Sequence, residues 1–256
     1  MVVRLATENP GWGYLRIAGE LWKLDVQLSH RTVAAILDRH GITPAPQRGT
    51  DSTWKSFVAD RIDQLVATDF FTVDVVGWLG KRTYDVLFAI HLGTRRVQIM
   101  GVTEHSNADY MAQVAREATV PDTGWLKAVG AKYLIHDRDT KFCGRWREIL
   151  LGAGIEPTAI PPNSPNLNAF AERWVRTVKR ECVRRLWFVG YRGLCDVLNE
   201  YVAHYNAERP HQGKGNRPLG VVDPPGQKPI AVGKLGKIRC ATRCRGAVRH
   251  YERVAA

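Results

Sequence analysis

The chain of 256 residues contains no run of 18 consecutive apolar residues, the length at which a helix spans the hydrocarbon of a bilayer. Its first residues lack the basic, apolar, small-residue order of a secretory signal. No membrane association is therefore expected. There is no GxxxxGK[ST] loop to cradle a nucleotide phosphate, no serine or cysteine nucleophile motif, no internal repeat and no low-complexity tract. Cysteine is sparse and odd in number, with five thiols at 143, 182, 195, 240 and 244. Without a secretory signal, an odd count points to free thiols in a reducing cytoplasm. Cys240 and Cys244 have a spacing that could open a zinc site, but only His250 follows nearby and no second cysteine pair exists, so no zinc site is expected. Hydrophobic residues at 45% and charged residues at 24% exclude wholesale disorder and collagen-like repeats.

What the sequence does have is an uneven charge. The net charge is +12, from 37 Lys and Arg against 25 Asp and Glu. Residues 173 to 256 hold 18 basic and 6 acidic side chains, so the last third carries the entire excess. A neutral body with a basic last third favours a polyanionic partner over a merely well-solvated surface.

Residues 11 to 46 read as two helices and a break. The first runs from about Tyr14 to Leu24, with Trp12, Leu15, Ile17, Leu21, Trp22 and Leu24 as its apolar face. Asp25 to Leu28 form the turn. Ser29 is an N-cap, followed by Val33, Ile36 and Leu37 at helical spacing, and Gly41 stands at the C′ position. Two short helices across a four-residue turn fit a helix-turn-helix segment over 1–46, which would offer His30, Arg31 and Arg39 to DNA. A plain helical hairpin fits equally well. Residues 47–65 read as a polar linker and a short helix from Trp54 to Leu65.

From residue 66 the period changes. "VATDFFTVDVV", "TYDVLFAIHL" and "RRVQIMGVTE" are rich in β-branched and aromatic residues and closely connected, which predicts an antiparallel meander. A helix over "NADYMAQVAREATV", a strand over "AKYLIHD", a helix over "TKFCGRWREILLGAG" and a short strand over "IEPTAIPP" follow. A loop "NSPNLN" then leads to a long helix from Ala169 to about Leu186 and another from about Tyr191 to Asn206. The order β-β-β-α-β-α-β-α predicts an α/β domain over 66–206 with a mixed five-stranded sheet flanked by helices. Residues 207–256 form a basic, Pro- and Gly-containing C-terminal segment, with "KIRCATRC" and "AVRHYERV" as a small β-hairpin.

Three carboxylates stand out by position. Asp74 lies in an otherwise apolar strand, Asp137 where the fourth strand runs out, and Glu172 in the first turn of the long helix. Converging carboxylates repel, and a hard divalent cation such as Mg²⁺ relieves that repulsion. Two ions clamped in this way support in-line displacement at phosphorus without a protein nucleophile. Each residue also has an ordinary reading. Asp74 suits a strand edge facing water, and Asp137 in "HDRD" suits an Asx turn. Glu172 suits a helix N-terminus and an ion pair with Arg176.

The order and spacing of these residues resemble those of the DDE transposases of bacterial insertion sequences that carry a retroviral-integrase-type, RNase H-like catalytic core. The first Asp of that family lies on the first strand, like Asp74 in "FFTVDVV". The second follows the fourth strand, five residues before an aromatic, like Asp137 and Phe142 in "HDRDTKF". The Glu opens the next long helix, like Glu172 in "NSPNLNAFAERWVRTVKRE", 35 positions after Asp137. "YNAERPHQGKGNRP" resembles the segment after the family's core, and the helix-turn-helix resembles the segment before it. Asp69 rivals Asp74 for the first position, but five residues separate them and on a straight strand they face opposite ways. Asp74 is favoured for its distance to the second strand. Asp139 rivals Asp137, which is favoured for its distance to Phe142.

The resemblance implies that Asp74, Asp137 and Glu172 bind two Mg²⁺ ions, with Mn²⁺ as a substitute. It implies hydrolytic cleavage at the ends of an element, then attack of the freed 3′-hydroxyl on target DNA. The partners it implies are double-stranded DNA, at element ends and target, and further copies of the chain, in a bacterial cytoplasm at the nucleoid. On the long helix, Phe170, Trp174, Val178, Cys182 and Leu186 form a core stripe. Arg173, Arg176, Lys179, Arg180 and Arg184 occupy much of the rest and suit phosphate contacts. Arg209, His211, Lys214 and Arg217 extend that surface. Trp78 and Trp125 read as packing residues. The alternatives are an inactive or shortened transposase that represses by binding DNA, and an RNase H-like nuclease without strand transfer.

Overall fold

The computed structural model describes residues 1–42, 58, 60–160, 169–220 and 238–253, apart from residues 10, 25, 79 and 143. The expected linker 47–53, residues 54–57 and 59 of the expected helix 54–65, and the loop 163–168 lie outside the described residues. The chain divides into two compact units, Met1–Ile62 and Asp63–Ala256.

The first unit holds α1 (Val2–Glu8), α2 (Tyr14–Trp22) and α3 (His30–Arg39). Val2, Ala6, Ile17, Leu21, Val33 and Leu37 form its buried core. Ser29 caps α3 by accepting from the Thr32 amide. At the other end Gly41 adopts φ 66°. Its N–H bonds the Asp38 carbonyl, and the Ile42 N–H bonds the Leu37 carbonyl. That is the Schellman pair of bonds, which needs a left-handed residue at C′. The apolar face expected for α2 is narrower than read: Leu15, Trp22 and Leu24 are exposed, whereas Ile17 and Leu21 are buried in the three-helix core and Trp12, Tyr14 and Ala18 pack against it. Helix α1 itself was not anticipated.

The second unit is built on the sheet β1 (Leu65–Gly77), β2 (Gly80–His91), β3 (Val97–Thr103), β4 (Tyr133–His136) and β5 (Glu156–Ala159), in the order β3-β2-β1-β4-β5. β1, β2 and β3 are antiparallel neighbours, whereas β4 lies parallel to β1 and β5 parallel to β4. One face is covered by α4 (Ala108–Thr119), the short α5 (Trp125–Ala128) and α6 (Gly144–Gly152). Val66 and Leu134 from the sheet pack there with Met111, Val114, Trp146 and Leu150. The other face takes α7 (Ala169–Glu181) and α8 (Gly190–Ala207). Trp174 of α7 is the keystone, with ring centroids 4.2 Å from Phe88 and 5.6 Å from Phe71. The expected long helix ends at Glu181 and tightens into a 3₁₀ turn at Val183–Arg185.

The expected hairpin is present as β6 (Ile238–Arg243) and β7 (Val248–Arg253). It packs on α8: the buried Cys244 thiol donates to the Val197 carbonyl at 3.6 Å, and Arg185 donates to the Ala247 carbonyl. Cys182, Cys195, Cys240 and Cys244 carry free thiols. Among the described residues, no helix is long and apolar enough to cross a membrane.

Candidate active site and basic groove

The register of β1 decides which carboxylates meet. β4 pairs in parallel with only the start of β1, Leu65 with Tyr133 and Ala67 with Ile135. Two residues further along both strands lie Asp69 and Asp137. Asp69 also shares the odd-numbered face of β1 with Phe71, the face on which Trp174 sits. Glu172 is two residues before Trp174 in the first turn of α7. The burial pattern changes at Asp69: four consecutive buried residues give way to the half-buried Asp69 and Phe70 and then to alternation from Phe71, because the strand there leaves β4 behind.

The electrostatics carry the same message. Burial pushes the Asp69 carboxyl up to about 6, and the charges of Asp137, Glu172 and Asp139 add to the rise against the opposing bond from the Phe70 amide. That amide donates to Asp69 Oδ1 at 2.7 Å. Asp137 Oδ1 accepts from the Asp139 amide at 3.1 Å, which is the Asx turn read in "HDRD" and holds the carboxylate at the strand end. Asp139 in turn is tied to Lys141, whose amide donates to Asp139 Oδ1 at 2.9 Å. Lys141 Nζ reaches Asp85 at 3.1 Å and lies 4.5 Å from the Phe70 ring centre. Among the described residues Glu172 has no hydrogen bond or ion pair, so the expected pairing with Arg176 does not form.

Asp74 is brought elsewhere. It stands five residues beyond Asp69, on the order of 17 Å along the strand, and on the opposite face. There it accepts from Thr83 Oγ1 at 2.8 Å and pairs with Lys81 at 2.8 Å, with its side chain 55% exposed. These partners hold its carboxyl below the ordinary range. It is therefore Asp69, and not the expected Asp74, that feels the charges of Asp137 and Glu172. The alternation of faces along β1 was legible in the sequence. The position where β4 begins and ends against it was not.

The five expected cations of the long helix do gather. Arg173, Arg176, Lys179, Arg180 and Arg184 line one cavity of about 970 Å³, together with Phe170, Tyr205, Lys214 and Asn216. Arg95 joins them from the β2–β3 turn, 3.5 Å above the Phe170 ring, and its Nη1 is buried without a hydrogen bond. Sequence reasoning missed Arg95; the only signal was a cation in the turn "LGTRR". The downstream segment extends this surface as expected, with Arg209, His211 and Lys214 lining the same cavity. Arg209 grips Glu181 with both arms, at 2.8 and 3.0 Å, and Tyr201 donates to the same carboxylate at 2.9 Å. His211 is buried and bonds the Tyr205 carbonyl. Both tie the segment to the core. Lys214 is exposed. On α3, His30, Arg31 and Arg39 are all exposed. Trp125 packs on the α4–α6 core. Trp78, expected to pack, is fully exposed, because it projects from the tip of the β1–β2 hairpin.

The sheet order β3-β2-β1-β4-β5, with helices on both faces and acidic residues where β1 and β4 part, is the mixed five-stranded α/β architecture expected from the sequence. Residues 153–218 match the family described as integrase core domain. A stretch of 65 residues is 35% identical to the insertion element IS476 uncharacterized 39.2 kDa protein of Xanthomonas euvesicatoria, covering 25% of this chain and 19% of that protein. The resemblance to insertion-sequence proteins with an integrase core is thus found by comparison as well. The match spans about a fifth of the length of that relative. Among solved structures, the catalytic core domain of BIV integrase is similar at a TM-score of 0.42 and 18% identity, over 59% of this chain and 88% of that one. The catalytic domain of Mos1 mariner transposase is similar at 0.44 and 14%, over 59% and 78%.

Proposed function

We propose that this chain is an insertion-sequence transposase that cuts DNA at the ends of its element and joins those ends to target DNA. The observation that carries the reading is the meeting of Asp69 with the charges of Asp137 and Glu172 at the point where β1 and β4 part. A half-buried carboxyl raised to about 6 by burial and by like charges is one whose ionised form a cation stabilises. Its donors are all carboxylate oxygens, the set that suits Mg²⁺ and admits Mn²⁺. Asp69, Asp137 and Glu172 would hold the metal, two ions in the full arrangement. When bound, such ions polarise the scissile phosphodiester and make water or a 3′-hydroxyl a better nucleophile.

The remaining work belongs to the chain's own residues. The arginines and lysines of α7 hold backbone phosphates on either side of the scissile bond, and Trp174 fixes α7 and hence Glu172 against β1. In the first step water displaces the 3′-oxygen from phosphorus and leaves a 3′-hydroxyl on the element end. In the second step that hydroxyl attacks a target phosphodiester, forming one P–O bond and breaking another. The exposed cations of α3 hold the ends through a helix-turn-helix, and paired ends call for more than one copy of the chain.

The test is metal-dependent nicking and joining of a labelled duplex taken from the DNA flanking the gene. Wild type and Asp74→Asn should both join strands in Mg²⁺ or Mn²⁺. Asp69→Asn and Glu172→Gln should bind the duplex and leave it uncut. Activity lost in Asp74→Asn and retained in Asp69→Asn would overturn the assignment. Binding without cleavage by any of the four proteins would favour a repressor.

A further inference from the structure

A second group of potential metal ligands is drawn from the end of α8 and from β7, elements that hold none of the carboxylates just described. His204 sits in the last turn of α8, and Glu208 follows one helical turn later, which sets both on one face of the helix. His250 comes from β7, which lies over that face. One donor atom from each of the three falls within 4.8 Å of the other two, and among the described residues this is the group of three that meets that spacing. His204 Nδ1 is 2.9 Å from Glu208 Oε2, and His250 Nδ1 is 3.1 Å from the same oxygen.

Ordinary hydrogen bonding leaves this cluster incomplete. His250 Nδ1 is sealed from solvent and makes no hydrogen bond, although the carboxylate oxygen is near enough. A buried polar nitrogen without a partner costs about 1–3 kcal/mol. Reading both contacts as ion pairs would place two imidazolium rings on one oxygen while Arg243 already occupies the other oxygen at 2.6 Å. A cation among the three atoms satisfies all of them with both imidazoles neutral. Arg243, bound mainly to Oε1 and also 3.3 Å from Oε2 through Nε, then orients the carboxylate, as outer partners of metal ligands do. The neighbouring arginine is not loose charge in the way, since Arg209 is held by Glu181. A cavity of about 510 Å³ opens beside the cluster, leaving room for a water as fourth ligand.

We propose that His204, Glu208 and His250 form a Zn²⁺ site that pins the C-terminal hairpin to α8. Two imidazoles and one carboxylate with an open fourth position suit Zn²⁺, whereas Mg²⁺ avoids nitrogen ligands. The site explains how a basic hairpin, joined to the core through a long Pro- and Gly-containing segment, is held in a fixed place. The cysteines that opened a zinc spacing in the sequence take no part. Cys244 is buried against Val197, and the ligands come from a helix and a strand 42 residues apart.

Co²⁺ in place of Zn²⁺ reads the site by its visible bands, which are strong in four-coordinate geometry and weak in the six-coordinate all-oxygen site. The full chain, without Mg²⁺, should take up one equivalent with strong bands and no thiolate charge-transfer absorption. Zn²⁺ should displace the Co²⁺ and slow amide exchange across 238–253. Glu172→Gln should keep the bands, and Glu208→Gln and His250→Ala should lose them. His250→Cys should recover them with a new charge-transfer band, which separates a lost ligand from a misfolded hairpin. Arg243→Lys should weaken binding about 10- to 100-fold. Absence of strong bands in the wild type, or their survival in His250→Ala, overturns the proposal.

Discussion

Replacing Asp69 by Asn should make the metal-free protein more stable above pH 6 while abolishing its chemistry. The folded-state carboxyl titrates at about 6 instead of 3.8. Below about pH 4 it is protonated folded and unfolded, and it costs nothing. Between the two values the unfolded chain ionises first, so the folded state loses ground, and above 6 the full penalty is present. A two-unit rise corresponds to about 3 kcal/mol; the side chain is partly exposed, and screening reduces this to about 1–2 kcal/mol. For a unit of this size each kcal/mol moves Tm by about 2–4 °C, so Asn should raise Tm by about 2–8 °C at pH 8 and by nearly nothing at pH 4. The Asn amide oxygen can still accept from the Phe70 amide, so that bond within β1 is kept. Calorimetric melts of both proteins in EDTA, at pH 4, 6 and 8, read the difference directly. Adding Mg²⁺ at pH 8 should raise the wild-type Tm and close the gap. A Tm gain that is independent of pH, or a variant less stable than wild type at pH 8, would refute the electrostatic account of the site.

Trp174→Ala should cost about 3–5 kcal/mol, seen as a urea midpoint shift, because the ring is buried between β1, β2 and α8. Trp174→Phe should cost less than half of that, since the indole Nε1 has no hydrogen bond to lose. Glu181→Gln should lower Tm at pH 7 and converge with wild type in acid. Burial pushes the folded carboxyl up, but Arg209 and Tyr201 together outweigh it and hold the carboxyl below its ordinary value, so its stabilisation is present above the unfolded value and lost as pH falls through the folded one. Removing Arg173, Arg176 and Arg180 together should reduce the slope of log K against log salt for duplex binding by up to about 2.7, at about 0.9 per phosphate contact; an unchanged slope would place the DNA elsewhere.

The sequence by itself determined the element order, because short-range signals write it. The β-branched runs, the Ser29 and Asn107 caps and the glycines at 41 and 154 act within one turn of chain. It also set Glu172 at the head of a basic helix and the concentration of positive charge after residue 172. The tertiary structure decided what depends on register and on distant partners. Both Asp69 and Asp74 sit in an apolar strand and look alike locally; the parallel pairing of β4 with only residues 65–67 of β1 separates them. Arg209 reads as a surface cation until Glu181, 28 residues earlier, is seen to hold it. His250 reads as a stray ligand beside two cysteines until β7 is laid across His204 and Glu208. Local free energies of a turn or a cap are set by neighbours in sequence. The environment of a charge is set by whatever the fold brings against it, and that is where the site was decided.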